Sequence, residues 1–156
     1  MTPDNELITR VVEAARDNLR SSEMLAPVFF IGDDSRIGML PADFSDDSSK
    51  DRMAHVVKEL VKQVSAEFVL FIAESWTIKD QDAAREYMEN MDAYNGVSSH
   101  PKAVEVVTFM LETKNKAWMA VTDILPDREM GAVEWKESSM VEGRFSGFFG
   151  EMQIKH

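Results

Sequence analysis

The sequence contains no cysteine and few of the residues that carry metal or covalent chemistry. None of its 156 residues has a thiol, which excludes disulfides, cysteine-ligated zinc, iron–sulfur clusters and thiol nucleophiles. Its three histidines, His55, His100 and His156, are far apart and form no pair with the spacing of a zinc-binding helix. The sequence therefore predicts no metal site and no bound cofactor.

Long apolar runs are also missing. No stretch approaches the ~18 consecutive apolar residues that a membrane-spanning helix needs. The first ten residues, MTPDNELITR, include Asp4 and Glu6 and lack an apolar segment, so they are unlike a secretory signal. These features predict a soluble, cytoplasmic protein without a membrane partner.

Positive charge is scarce in this chain. Its 28 acidic residues outnumber its 17 basic residues, which gives a formal net charge of −11. Such a surface repels phosphate backbones, so the composition predicts no direct binding of nucleic acid. The acidic composition leaves open a different class of function, an inhibitor that imitates a nucleic-acid backbone.

Catalytic sequence motifs are absent as well. The chain has no G-x-S-x-G nucleophile elbow and no G-x-x-x-x-G-K-[ST] phosphate loop. The stretch GRFSGFFG near the C-terminus does not follow the strand-to-helix pattern of a dinucleotide fingerprint, and its glycines indicate bulges or tight turns. These absences favour a binding protein over an enzyme.

The sequence does contain clear helical and extended patterns. Apolar residues at 3.6-residue spacing predict helices over about 4–20, 49–65 and 80–94, with Asp4 capping the first. Two pairs of apolar runs predict hairpins, APVFFIG with RIGMLPA and AVEVVTFMLET with KAWMAVTDIL. The order α-β-β-α-β-α-β-β-β predicts an α+β fold in a single domain, residues 1–156. We expect one mixed, largely antiparallel sheet with helices packed on it.

The third predicted strand differs from the others. Its apolar run, Phe68 to Ile72, shows no alternation, which predicts burial on both faces of the sheet. Because a helix precedes it directly, we expect a crossover connection and at least one parallel pairing. A hairpin, a helix and a parallel strand in this order resemble the opening of deaminase-like folds. The His-x-Glu and paired-cysteine motifs of those enzymes are missing, so the resemblance implies no site residues.

The polar residues Glu74, Ser75 and Trp76 follow this apolar run at once. The carboxyl end of a parallel strand borders the crevice where open α/β sheets bind ligands. We therefore predict a binding site formed by these three residues, with Glu74 and Trp76 on one side of the chain and Ser75 on the other. The alternative is that Glu74 is merely the first solvated residue after the buried strand.

The sequence leaves three classes of function open. The leading interpretation is an acidic binding or interaction module that acts through a protein partner or through self-association. A homodimer would form through the late strands, 104–149, with Trp135, Phe148 and Phe149 at the interface. The first alternative is a small metal-independent enzyme with Glu74 as general base and a hydroxyl or His55 nearby. The second is the inhibitor that imitates nucleic acid.

Overall fold

A computed structural model of the chain describes residues 1–21, 26–42, 45–138 and 147–149. The described helices are α1 (Glu6–Ser21), α2 (Asp47–Gln63) and α3 (Gln81–Glu89), and short turns of 3₁₀ type occur at Met91–Ala93, Val97–Ser99 and Pro126–Arg128. The strands are β1 (Val28–Gly32), β2 (Ile37–Pro41), β3 (Phe68–Ile78), β4 (Ala103–Thr113), β5 (Ala117–Leu125), β6 (Glu129–Met130) and β7 (Lys136–Ser138). The α+β class and the order of elements are as predicted. Within the described ranges, no helix combines the length and apolar character needed to cross a bilayer.

Side-chain caps set where the helices begin. Asn5 accepts a hydrogen bond from the backbone N–H of Leu7 (2.9 Å), so Asn5 caps α1 and the prediction of Asp4 was one residue early. Asp46 accepts from the backbone N–H of Ser49 (2.6 Å) and caps α2. Both caps satisfy backbone donors that a helix leaves unpaired in its first turn.

The sheet has the strand order β2-β1-β3-β4-β5, and both β6 and β7 pair with β5. Every pairing in the described part of the chain is antiparallel, so the predicted parallel pairing of the third strand was wrong. The connection through α2 does join two strands of the same direction, β2 and β3. However, β1 lies between them and runs the opposite way. The resemblance to deaminase-like folds, which included a parallel pairing, fails for the same reason.

The strand β3 is longer than its apolar run. It pairs with β4 over its full length, from Phe68 opposite Thr113 to Ile78 opposite Ala103. The polar residues 74–76 therefore lie inside a strand and not beyond its end.

The sheet separates two apolar cores, and the predicted burial of β3 on both faces is confirmed. Alternate residues of β3 belong to different cores because side chains alternate along a strand. One core lies against α1 and includes Phe68, Leu70 and Ile72. The other lies against α2 and includes Val69 and Phe71. We refer to the two sides of the sheet as the α1 face and the α2 face.

Candidate functional site

Glu74, the predicted centre of a site, forms an ion pair with Arg128. Its carboxylate accepts two hydrogen bonds from the guanidinium, of 2.7 Å at Oε1 and 3.1 Å at Oε2. The Glu74 side chain is 8% exposed and the Arg128 side chain 26% exposed. Hydrogen bonding to Glu74 raises the pKa of Arg128 above its ordinary value, so the arginine remains charged. With both oxygens engaged by a cation, Glu74 is poorly placed to remove a proton from a substrate.

A strained turn brings Arg128 to this position. Asp127 and Arg128 have φ values of 64° and 61°, the left-handed region that costs a residue other than glycine about 1–2 kcal/mol. The Nε of Arg128 also donates to the backbone carbonyl of Leu19 (3.3 Å) in the last turn of α1. Carbonyls at a helix C-terminus lack partners and favour a cation. Arg128 thus ties α1 to the middle of the sheet.

The other two predicted site residues lie on opposite faces of β3. Trp76 lies on the same side of β3 as Glu74, as strand alternation requires, and is 45% exposed. Ser75 lies on the opposite side, where its Oγ is 3.3 Å from Oγ1 of Thr108. His55 belongs to α2, which packs on the α2 face, whereas Glu74 lies on the α1 face. The structure therefore places Glu74 and His55 on opposite faces of the sheet.

A second polar cluster, formed by Glu86, Tyr94 and His100, was missed in the sequence because its members are separated by loops. The Tyr94 hydroxyl donates to the Glu86 carboxylate (2.6 Å), and Nε2 of His100 lies 3.1 Å from it. The hydrogen bond with Tyr94 lowers the pKa of Glu86, and the hydrogen bond with His100 lowers it to a smaller extent. The Nδ1 of the buried His100 accepts from the backbone N–H of Lys102 (3.0 Å). Since both ring nitrogens have partners within the chain, this cluster closes the loop after α3 and leaves no nitrogen for a substrate.

Glu112 on β4 holds the C-terminal segment 147–149. Its buried carboxylate accepts hydrogen bonds from the backbone N–H groups of Gly147 (2.7 Å) and Phe148 (2.6 Å). The Phe148 ring is buried and contacts Phe29 edge-on, with 5.9 Å between ring centroids. Phe149 packs at the margin of the same core. Both phenylalanines of the predicted dimer interface therefore have contacts within their own chain.

The third predicted interface residue, Trp135, also packs internally. Its ring lies 5.9 Å from that of Phe109, at the margin of the core against α1. Residues 139–146 of the predicted late strands lie outside the described part of the chain. Self-association through the late strands remains a prediction, although these three side chains are already engaged in packing.

The contribution of Glu112 to stability, through its hydrogen bonds with segment 147–149, should depend on pH. Burial raises the pKa of the Glu112 carboxyl, and the N–H groups of Gly147 and Phe148 oppose that rise. A folded-state pKa above the unfolded value gives a contribution to stability that is full below the ordinary pKa, about 4.3, and is lost as pH rises through the raised value. The free energy of unfolding of the wild type, minus that of Glu112→Gln, should therefore fall as the pH rises above the ordinary pKa. Urea melts at several pH values measure this difference, and an increase with pH would contradict the assignment.

The strand β2 has one edge that no described strand covers, here called its free edge. Hydrogen bonds from Ala42 N–H to the Pro27 carbonyl (3.0 Å) and from Asp33 N–H to the Arg36 carbonyl (2.9 Å) fix which residues face β1. Because such residues alternate in an antiparallel pair, the backbone groups of positions 37, 39 and 41 point away from β1. No described strand pairs with them. The outward row offers the N–H and C=O groups of Ile37 and Met39, whereas Pro41 offers only its carbonyl.

Each face of this free edge is bordered by an apolar hollow. The α2-side hollow, of about 550 Å³, lies between β2 and the end of α2, with Ile31, Leu40, Leu60 and Val64 in its wall. The α1-side hollow, of about 310 Å³, has Val11, Ala14, Phe30, Met39 and Pro41 in its wall. Both volumes fall within the ~300–1,000 Å³ of typical ligand pockets.

Gly38, in the middle of β2, keeps the α2-side hollow open. A Cβ built on Gly38 would approach only the Ile31 carbonyl oxygen, at an ordinary 3.7 Å, so the fold does not require a glycine here. Gly32 differs, because a Cβ there would overlap the backbone of Arg36 in the hairpin. Glycine weakens a strand and often marks a place where another backbone or a ligand approaches. A glycine inside the apolar run RIGMLPA is the sequence signal that marks this position.

Among the described residues, no group of three or more histidine or acidic side chains is arranged to hold a metal ion. Comparison of the chain with protein-family models, with curated proteins and with solved structures gave no match.

Proposed function

We propose that this protein is a protein-binding module that receives an extended segment of a partner along the free edge of β2. The observation that carries the proposal is Gly38, a glycine that the fold does not need, beside an open apolar hollow and a row of outward backbone groups. Addition of a strand to a sheet edge uses backbone hydrogen bonds for affinity and adjacent pockets for selectivity.

The character of the edge supports this proposal. Proteins usually protect an exposed edge strand with charged side chains, bulges or proline. The strand Ile37–Pro41 contains no charged residue. Of the protective features, it has only a proline, Pro41, at its end. Met39 is 67% exposed. An exposed apolar edge without such protection promotes aggregation of a monomer, unless the edge serves to bind another chain.

The geometry gives less support to the alternatives. An enzyme with Glu74 as general base would need a carboxylate that is not already bound by Arg128. An inhibitor that imitates nucleic acid would need rows of carboxylates, whereas acids on the helix surfaces alternate with bases, as in the pair of Glu6 with Arg10. A homodimer remains open, but each copy adds a net charge of −11, and repulsion between like charges opposes it.

Filling the α2-side hollow should block binding without harming the fold. The probe is a nine-residue peptide with five central residues, Val-Thr-Val-Thr-Val, between pairs of lysines. We expect the amide resonances of Ile37 and Met39 to shift on titration of the wild type, and Gly38→Val to weaken binding about tenfold or more, the effect of losing one large buried apolar contact. The free energy of unfolding of Gly38→Val should stay equal or rise by about 0.5–1 kcal/mol, because valine suits a strand better than glycine.

Two controls make this test specific. Lys136→Val adds the same side chain to the exposed surface of β7, and it should leave peptide affinity within about twofold, since surface substitutions have small effects. Peptides that are N-methylated at alternate residues test backbone pairing, because only one of the two alternate sets can face β2. Full binding by both methylated sets, or by Gly38→Val, would refute strand addition at this edge.

A further inference from the structure

We infer that the partner segment is apolar on both of its faces. This inference rests on the proposed function and specifies which segments the edge selects. Most antiparallel strands of folded proteins have one apolar and one polar face, and a segment of that kind would satisfy only one side of the β2 edge.

The reason is that hollows border the edge on both sides. Gly38 and Leu40 direct their Cα–Cβ side toward the α2 face, where the larger hollow lies. Met39 and Pro41, in the alternate positions, border the α1-side hollow. A strand added beside β2 continues the pleat, so its successive side chains point to opposite faces. One set would enter the α2-side hollow and the other set the α1-side hollow.

The charge at the edge indicates the chemistry of this segment. Among the described residues, Asp33 and Arg36 are the charged members of the α2-side wall, and the α1-side wall has none. Asp33 is already engaged, because its carboxylate accepts from the backbone N–H groups of Ser35 and Arg36. The hollows therefore suit uncharged side chains. The net charge of −11 on the whole chain favours a partner whose flanking residues are neutral or basic over a second copy of this chain.

A segment apolar on both faces is buried in most folded proteins. The occupant would therefore be a stretch of another protein that is not yet folded or whose own partner strand is missing. Two strands of this chain illustrate the point, because the apolar runs VFFIG in β1 and FVLFIA in β3 both lie inside the sheet. Each of these strands has a neighbouring strand on both sides.

Three lysine-flanked peptides of equal length separate the possibilities. Their central residues are Val-Ile-Val-Phe-Val, apolar on both faces, Val-Thr-Val-Thr-Val, apolar on one face, and Thr-Ser-Thr-Ser-Thr, polar on both. Affinity for the full-length protein is measured by fluorescence polarisation, and light scattering confirms that the peptides are monomeric. We expect the first peptide to bind about tenfold or more tightly than the second, and the third to bind most weakly.

Variants of the protein assign each face of the peptide to its hollow. Ala14 is exposed on α1 and borders the α1-side hollow, so Ala14→Leu fills that hollow without entering the core. Thr9→Leu, on the same helix but outside the hollow wall, is the matched control. We expect Ala14→Leu and Gly38→Val each to weaken binding of the first peptide about tenfold, and Thr9→Leu to change it by less than about twofold.

The outcomes distinguish this inference from the proposed function. Equal affinity for the first two peptides, together with an unchanged affinity in Ala14→Leu, would overturn the two-faced selection while strand addition itself stood. Absence of binding by every peptide, with no shift of the Ile37 and Met39 amides, would overturn both. Dimerisation of the wild type that Gly38→Val abolishes would identify a second copy as the occupant and would also overturn the inference of a foreign segment.

Discussion

Glu74→Gln should lower the free energy of unfolding by about 3 kcal/mol, the lower end of the range for breaking a buried ion pair. The Glu74 side chain is only 8% exposed, whereas the guanidinium retains some contact with solvent. Glutamine keeps the shape of the side chain but removes the carboxylate that forms the two hydrogen bonds with Arg128. The melting temperature should fall by about 6–12 °C for a chain of this size. A solvated carboxylate, by contrast, would contribute little to stability.

Two further variants show whether the effect comes from the ion pair. Glu6→Gln removes an exposed carboxylate that pairs with Arg10, and it should cost at most about 0.5 kcal/mol. Arg128→Met, combined with Glu74→Gln, completes a double-mutant cycle, and a coupling energy well above about 0.5 kcal/mol would assign the loss to the pair. A single-mutant loss below about 0.5 kcal/mol would mean that Glu74 is solvated in the folded protein.

Phe148→Ala should also be strongly destabilising, by about 3–5 kcal/mol, the usual cost of removing a buried phenylalanine ring. The Phe148 ring is 3% exposed and packs on Phe29, while its backbone N–H donates to Glu112. Phe149→Ala is the matched control. Because Phe149 lies only at the margin of this core, its removal should cost clearly less. Urea melts of the two variants measure the difference.

Light scattering on the same variants addresses the dimer predicted through the late strands. If Phe148 is a core residue, Phe148→Ala changes stability and leaves the oligomeric state as it is in the wild type. A variant with unchanged stability that converts a dimer into a monomer would instead identify Phe148 as an interface residue. In that case Phe148 would contact a second copy in solution and would not be held by Glu112 and Phe29 of its own chain.

The fold class and the order of elements could be predicted from the sequence because they depend on local pattern. Apolar spacing located the helices, and the uninterrupted run from Phe68 to Ile72 predicted burial on both faces, which the cores on either side of β3 confirm. Both signals are encoded within about a dozen neighbouring residues.

The prediction of a crevice at Glu74, Ser75 and Trp76 depended on strand order, which is a long-range property, and the parallel pairing on which it rested is absent from the described strands. A helix between two strands predicts that they point the same way, and β2 and β3 do so. Only tertiary packing decides that β1 enters between them, antiparallel to both. It also decides that β4 pairs with β3 beyond the apolar run, so that the strand continues through Glu74 and Trp76. The expected crevice at the end of a parallel strand therefore has no counterpart in the described structure.

What the sequence by itself determined is the set of helices and strands and their apolar faces, because a side chain's position along a helix or strand fixes the face on which it lies. What only the tertiary structure decided is which distant residues meet. Arg128 reaches Glu74 across 54 positions, and Phe148 reaches Glu112 across 36. The free edge of β2 is likewise a product of strand order, since the run RIGMLPA would look the same in a central strand. Sequence carries local preferences, whereas contacts between distant segments depend on how the whole chain packs.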